Sequence, residues 1–309
     1  MLATGLNILV AHRAQKTPHL TPLDEAGRLA EAYPALLVQA DRIAHTVAMG
    51  FHGRRRPGTG ESFWQFQRYR PGDEAQRIDW RKSARSDQLY VRENEWEAAN
   101  TIWMWTSGSP GMHFKSKPAQ STKAERATLL MLTLAALMLN GGERVGLLGS
   151  GRTPVYTRSG LERLALMHQA LDGGRELPDA VPPRHSNVII FSDFLLPIEA
   201  WRDRLAPIAE RQVRGHLVQV FDPAEETLPY TGRKEFEETG GSLRFIIGRT
   251  ETVREAYRER IAQHRDELRS LARRLGWSFT LHHTDQPAQQ AILPLYGLLE
   301  GSLTRRTRV

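Results

Sequence analysis

Cysteine is missing altogether from the 309 residues. That one absence excludes disulfides, thiolate metal sites and cysteine nucleophiles. It also fits a reducing compartment, so a cytoplasmic location is expected. Lysine is scarce: the 42 basic residues divide into 36 Arg and 6 Lys. Long hydrophobic runs are scarce too. The longest, residues 127–139, is interrupted by Thr128 and Thr133 and falls short of the roughly 20 residues that a membrane span needs. It reads as a buried helix, and no membrane span is expected. Residues 1–11 are mildly apolar but lack the basic flank and the cleavage site of a secretory signal. Neither an internal repeat nor a low-complexity tract is found.

What is present is ordinary globular composition, 40% hydrophobic and 25% charged, enough for a sizeable core. The length allows one large domain or two modest ones. A net charge of +7 has the sign of a nucleic-acid binder. The Arg residues are dispersed among Glu and Asp, however, as in residues 251–274, a pattern that marks a solvated helix face. A nucleic-acid-binding protein working through Arg54–Arg56 and the basic tail Arg305, Arg306 and Arg308 is therefore an alternative reading and not the leading one.

Along the chain, residues 1–23 read as an irregular N-terminus. Residues 24–98 read as an N-terminal helix followed by a β segment, and residues 99–309 as an α/β domain. Within residues 24–49, Leu29, Tyr33, Leu36, Leu37, Ala40, Ile43, Ala44 and Val47 share one helical face, and Pro34 marks a start or a kink. Alternating aromatic and polar positions over residues 61–70 predict a strand. Residues 89–96 predict a second extended segment, and residues 101–105 a buried strand.

Strand and helix then alternate. Helices are expected at residues 121–140, 160–171, 198–213, 253–275 and 287–299. Strands are expected at 144–148, 153–156, 187–191, 216–221, 243–247 and 277–282. The short Gly-Ser-Gly turn joining 144–148 to 153–156 predicts an antiparallel hairpin. Apolar strands alternating with amphipathic helices predict a doubly wound, mostly parallel sheet with helices on both faces.

In such sheets ligands bind outside the carboxyl ends of the strands. Two strand ends carry suitable chemistry: Asp193 after the run Val188–Phe191, and Ser107 and Ser109 after Thr101–Trp105. An acidic residue and hydroxyls at neighbouring strand ends are oxygen ligands for a hard cation such as Mg²⁺.

The chain resembles domain-of-unknown-function family 58, a bacterial branch of the von Willebrand factor A-like fold. The resemblance is carried by Arg68-Tyr69-Arg70-Pro71-Gly72-Asp73, Arg77-Ile78-Asp79-Trp80, Ser83-Ala84-Arg85, Phe191-Ser192-Asp193-Phe194 and the C-terminal segment 276–285. It runs from about residue 50 to the end. It implies a complex with MoxR-type AAA+ ATPases in assembly or maturation of other proteins, and no established enzymatic activity. The fold's metal-ion-dependent adhesion site reads Asp-x-Ser-x-Ser after the first strand, with a distant Thr and a distant Asp. Aligned on Met112, the three positions are Ser107, Ser109 and Gly111; in the other register they are Trp105, Ser107 and Ser109. Both registers lose the Asp. Asp193 matches the distant Asp, and Thr157 is the candidate for the Thr. One carboxylate and two hydroxyls make a poor divalent site, so weak or absent Mg²⁺ binding is expected. Ser107–Met112 is then a turn whose backbone N–H groups bond to Asp193.

Arg68, Asp73, Arg77, Asp79, Trp80 and Arg85 suit either a buried Arg–carboxylate brace or a partner-docking patch. The Gly149–Gly151 and Gly58–Gly60 segments lack the spacing of a nucleophile elbow or a P-loop and read as turns. His282 and His283 with Asp285 lack a second ligand pair and read as structural histidines. The reading that results is a non-catalytic protein-binding adaptor acting with a MoxR-type ATPase, with a metal-dependent hydrolase as the least favoured alternative.

Overall fold

The structure, a computed structural model, describes residues 11–12, 35, 37–48, 63–68, 83–84, 88–94, 101–171, 175–237 and 244–304. It divides into two compact units, one of residues 49–99 and one of residues 1–48 with 100–309. In the smaller unit, β2 (Phe63–Arg68) and β3 (Tyr90–Asn94) pair antiparallel, with a register shift between Phe63 and Gln65. The Ser83 hydroxyl accepts the Tyr90 N–H at 2.9 Å, tying the approach to β3.

The larger unit holds β1 (Ala11–His12), α1 (residues 37–48) and the α/β core. Five strands form one fully parallel sheet: β4 (Thr101–Thr106), β5 (Arg144–Leu147), β6 (Asn187–Ser192), β7 (Arg214–Phe221) and β10 (Ser278–His283). Their order across the sheet is β10-β7-β6-β4-β5. After β4 the chain crosses by α2 (Lys123–Asn140) to β5 at one edge. It then returns through α3 (Gly160–Leu171) to β6 on the other side of β4. From there it moves outward through α4 (Ile198–Ala209) to β7 and through α6 (Arg254–Arg274) to β10, closing with α7 (Gln289–Thr304). The direction reverses between β4 and β6, and their carboxyl ends flank the crevice of a doubly wound sheet. The expected α/β architecture is present.

Strand alternation assigns the two faces. Trp105, Val188, Ile190 and Leu217 pack with Trp201, Leu205 and Ile208 of α4 and Leu268 and Leu271 of α6. The opposite face meets α2, whose residues Leu129–Leu139 are all buried. The apolar run read from the sequence as a core helix is this element. Helix α2 starts with a capping box: the Thr122 hydroxyl accepts the Glu125 N–H, and the Glu125 carboxylate accepts the Thr122 N–H.

Three expectations about strands need correction. Residues 144–148 and 153–156 do not form a full hairpin; one antiparallel bridge, Val145 with Val155, joins them. Pro154 has no N–H to continue a ladder. Residues 243–247 do not join the parallel sheet. As β9 (Arg244–Ile247) they pair antiparallel with β8 (Lys234–Glu237), which pairs in turn with β1. Strand β8 lies in a stretch read as a polar loop, because Phe236 alone supplies its buried apolar side chain.

Candidate functional site

Asp193 follows β6 directly, and Asp222 follows β7, so two carboxylates stand at adjacent carboxyl ends. Phe194 adopts φ +54, a left-handed conformation that costs a non-glycine residue roughly 1–2 kcal/mol. Its ring is fully buried 4.5 Å from the Trp201 ring, contact that offsets the strain. The turn is further held by the Ser192 hydroxyl accepting the Phe194 N–H at 3.1 Å and by Gln219 Nε2 donating to Asp193 O at 2.9 Å.

The group that meets Asp193 comes from α2. Lys123 is the first residue of that helix, and its side chain is completely buried. The ammonium lies 3.0 Å from Asp193 Oδ2 and 2.7 Å from Glu225 Oε1. Glu225 belongs to the short helix α5 (Pro223–Thr227), where it closes a capping box with Asp222: its other oxygen accepts the Asp222 N–H at 3.2 Å. Asp222 accepts the N–H groups of Ala224 and Ser116, each at 2.9 Å. Burial pulls the Lys123 ammonium down, but Asp193 and Glu225 together hold it above its ordinary value. Burial pushes the Glu225 carboxyl up to about 7, with Lys123 opposing.

Two arginines extend the network along the strand ends. Arg126, one turn after Lys123, donates to Thr284 O at 2.8 Å and Gln286 O at 3.2 Å, which secures the segment after β10. Arg265 of α6 donates to Gln219 Oε1 at 3.2 Å and pairs with Glu226, which also meets His283. His283, then Arg265, hold the Glu226 carboxyl down at about 2, against the effect of burial. The carboxyl ends of β6, β7 and β10 are thus tied by three cations reaching in from the two helix layers. The sequence reading missed Lys123, Arg126, Glu225, Glu226 and Arg265. A usable signal was Lys123 in the first turn of a capped helix, where the dipole disfavours a cation unless it has acidic partners.

The residues read as a damaged adhesion site are only partly brought together. Ser107 stands at the crevice; its N–H donates to Phe191 O at 2.8 Å, and its hydroxyl accepts the Ser109 N–H at 3.2 Å and donates to Glu176 O at 3.4 Å. Ser109 precedes a single 3-10 turn, Pro110–His113, and its buried hydroxyl has no hydrogen-bond partner. Asp193 accepts the Leu195 N–H at 3.4 Å and not those of Ser107–Met112, because Lys123 takes its other oxygen. Thr157 lies elsewhere. Val155 pairs with Val145 at the start of β5, so the chain emerges from that bridge at the amino ends of the parallel strands. The exposed Thr157 hydroxyl bonds Ser159 there, at 3.0 Å. One carboxylate already bonded to an ammonium, with two serine hydroxyls, does not fit a divalent cation.

Of the other candidates, Arg68 ends β2, opposite Tyr90. Asp73, Arg77, Asp79, Trp80 and Arg85 lie outside the described residues, as do Arg54–Arg56, Arg305, Arg306 and Arg308. His283 is engaged by Glu226, whereas His282 is buried with Nε2 unpaired and is held down at about 3, first by burial and then by Arg126 and His283. The Gly149–Gly151 segment is a turn, with φ of +84 and +62 at its two glycines.

The model of the family described as "Protein of unknown function DUF58" matches residues 65–267, more than half of the chain. The chain belongs to the DUF58 family. Relatives include uncharacterized protein Rv1480 of Mycobacterium tuberculosis and uncharacterized protein Mb1516 of Mycobacterium bovis. Each is 26% identical over 276 residues, covering 84% of this chain and 86% of the relative. Among solved structures, the conserved hypothetical protein BatB from Bacteroides thetaiotaomicron aligns with 65% of this DUF58 chain and 99% of its own, at 13% identity and a TM-score of 0.39. An aerotolerance-related membrane protein from Bacteroides fragilis aligns with 67% and 99%, at 13% identity and a TM-score of 0.37. Likeness at that level carries no argument about this DUF58 chain. No helix among its described residues is long and apolar enough to cross a membrane.

Proposed function

We propose that this DUF58 protein is a non-catalytic protein-binding subunit that docks through the carboxyl-end face of its parallel sheet, without a bridging metal, onto a MoxR-type AAA+ ATPase. The partner class follows from the family resemblance, and the client is a protein undergoing assembly or maturation. The observation that carries the reading is the state of the charged groups at the strand ends. Lys123, Asp193 and Glu225 pair with one another in the interior, and Glu226 pairs with His283 and Arg265 beside them. Groups poised for acid–base chemistry face a cleft and a substrate; these face each other. An open groove of roughly 780 Å³ lies elsewhere, along α4 and α6, between Arg202, Glu199, Glu259 and Arg274. The strand-end loops, carried on the packed α/β scaffold, are the proposed docking face.

The test is co-purification of the ATPase by the tagged chain from native lysate, in nucleotide-free buffer with and without EDTA. A MoxR-type ATPase recovered equally in both is the expected result. No ATPase in either buffer refutes the partner. Loss in EDTA restored by Mg²⁺ refutes docking without a metal.

A further inference from the structure

Two carboxylates from different strand ends, Asp193 with a side chain 5% exposed and Glu225 with one 2% exposed, converge on one point of the interior. Water cannot reach that point to solvate them, and burying ionised carboxylates without a countercharge is prohibitive. Something positive must stand between them. The chain supplies it by sending the Lys123 side chain back from the first turn of α2 over the ends of β6 and β7, with Nζ 5.9 Å from the centre of the Phe221 ring. Four contacts on the carboxylate pair, two from Nζ and one each from the Asp222 and Leu195 N–H groups, engage all four of its oxygens.

We infer that Lys123 is the resident cation of a carboxylate site, and that shortening it converts the site into one that binds a divalent cation between Asp193 and Glu225. The chemistry is that of hard oxygen donors. An ammonium at 2.7–3.0 Å from two carboxylates holds them close to the spacing from which both can ligate a small dication at roughly 2.0–2.2 Å after modest movement. The volume vacated by the butylammonium chain is where waters retained by Mg²⁺ or Mn²⁺ would stand. Two negative charges then face one dication, which the wild-type site, already carrying Lys123, cannot accept. For the docking reading the consequence is that the face is preassembled at any divalent-cation concentration. That consequence rests on the reading, whereas the site's chemistry does not.

The experiment uses the isolated full chain and Mn²⁺ as probe, read by electron paramagnetic resonance of free Mn²⁺ and by thermal shift. Lys123→Ala binds one equivalent at least tenfold more tightly than wild type, its Tm rises with Mn²⁺, and Lys123→Ala/Glu225→Gln loses both effects. If Lys123→Ala does not fold without metal, refolding yield against Mn²⁺ replaces the titration; recovery dependent on Mn²⁺ supports the inference, and no recovery overturns it. A folded Lys123→Ala that binds Mn²⁺ no better than wild type overturns it too. So does a wild-type chain that takes up one equivalent in a manner abolished by Asp193→Asn. Because no partner is involved, a negative result here leaves ATPase docking standing, and a failed co-purification leaves this site standing.

Discussion

Replacing Asp193 by Ala removes one of two counterions from an ammonium that has no access to water. The Lys123–Asp193 contact is 3.0 Å between side chains 0% and 5% exposed, so solvent cannot substitute for the lost carboxylate. Breaking a buried pair from one side costs about 3–5 kcal/mol. Glu225 stays 2.7 Å from the ammonium and limits the loss. The Leu195 N–H loses an acceptor at 3.4 Å, a long bond that adds little. The expected destabilisation is about 3 kcal/mol, a large part of a domain's total stability. Urea denaturation followed by tryptophan fluorescence measures it, since Trp201 packs against Phe194 beside the substituted residue. Asp193→Asn keeps an acceptor for Lys123 and should cost less than Asp193→Ala. Lys123→Met combined with Asp193→Ala should be less destabilised than the sum of the single variants by about 2 kcal/mol, the signature of coupled residues. A loss below about 1 kcal/mol for Asp193→Ala, or strict additivity in the cycle, would refute the buried-pair account.

Gly215 lies in β7 beneath Trp277, and a Cβ there would sit 1.9 Å from the indole. The indole is buried and its N–H donates to Val213 O at 3.0 Å, so Gly215→Ala should cost at least about 3 kcal/mol, combining overpacking with a broken hydrogen bond; thermal denaturation showing less than about 1 kcal/mol would contradict the packing. Stability should also fall on mild acidification. Burial holds His168 and His216 down at about 4 and His282 at about 3, so the unfolded chain takes up their protons first and stability is lost as pH drops below about 6.5. Glu225, held up at about 7, works the other way between about 4.5 and 7, leaving roughly two protons net, or about 3 kcal/mol per pH unit between 5 and 6. Denaturant midpoints measured from pH 7.5 to 5 check this, and a flat profile would show that these histidines are accessible to protons in the fold.

Much of the fold was written in periodicity. The run 127–139, interrupted by two threonines, read as a buried helix, and α2 is buried along that whole length. Residues 187–191 had the apolar continuity of a strand covered on both sides, and β6 is buried throughout. Asp193 was legible as a strand-end position because a carboxylate directly after such a strand stands at the carboxyl end of the sheet. Its partner was not legible. Lys123 and Asp193 are 70 residues apart and Lys123 and Glu225 are 102 apart; spacing along a chain holds no information about which helix start is folded over which strand end. The same limit moved Thr157 to the opposite end of the sheet, because one antiparallel bridge between Val145 and Val155 reverses the chain there. It also took residues 244–247 out of the parallel sheet, because strand pairing is a contest among distant segments that a local apolar pattern does not decide. Local pattern therefore determined the long helices, the core and the five strands of the parallel sheet; it missed β8 and overread residues 153–156. Only the tertiary structure decided which charges meet, since a buried ion pair is stabilised by the exclusion of water from both partners at once, and that exclusion exists only when the layers have packed.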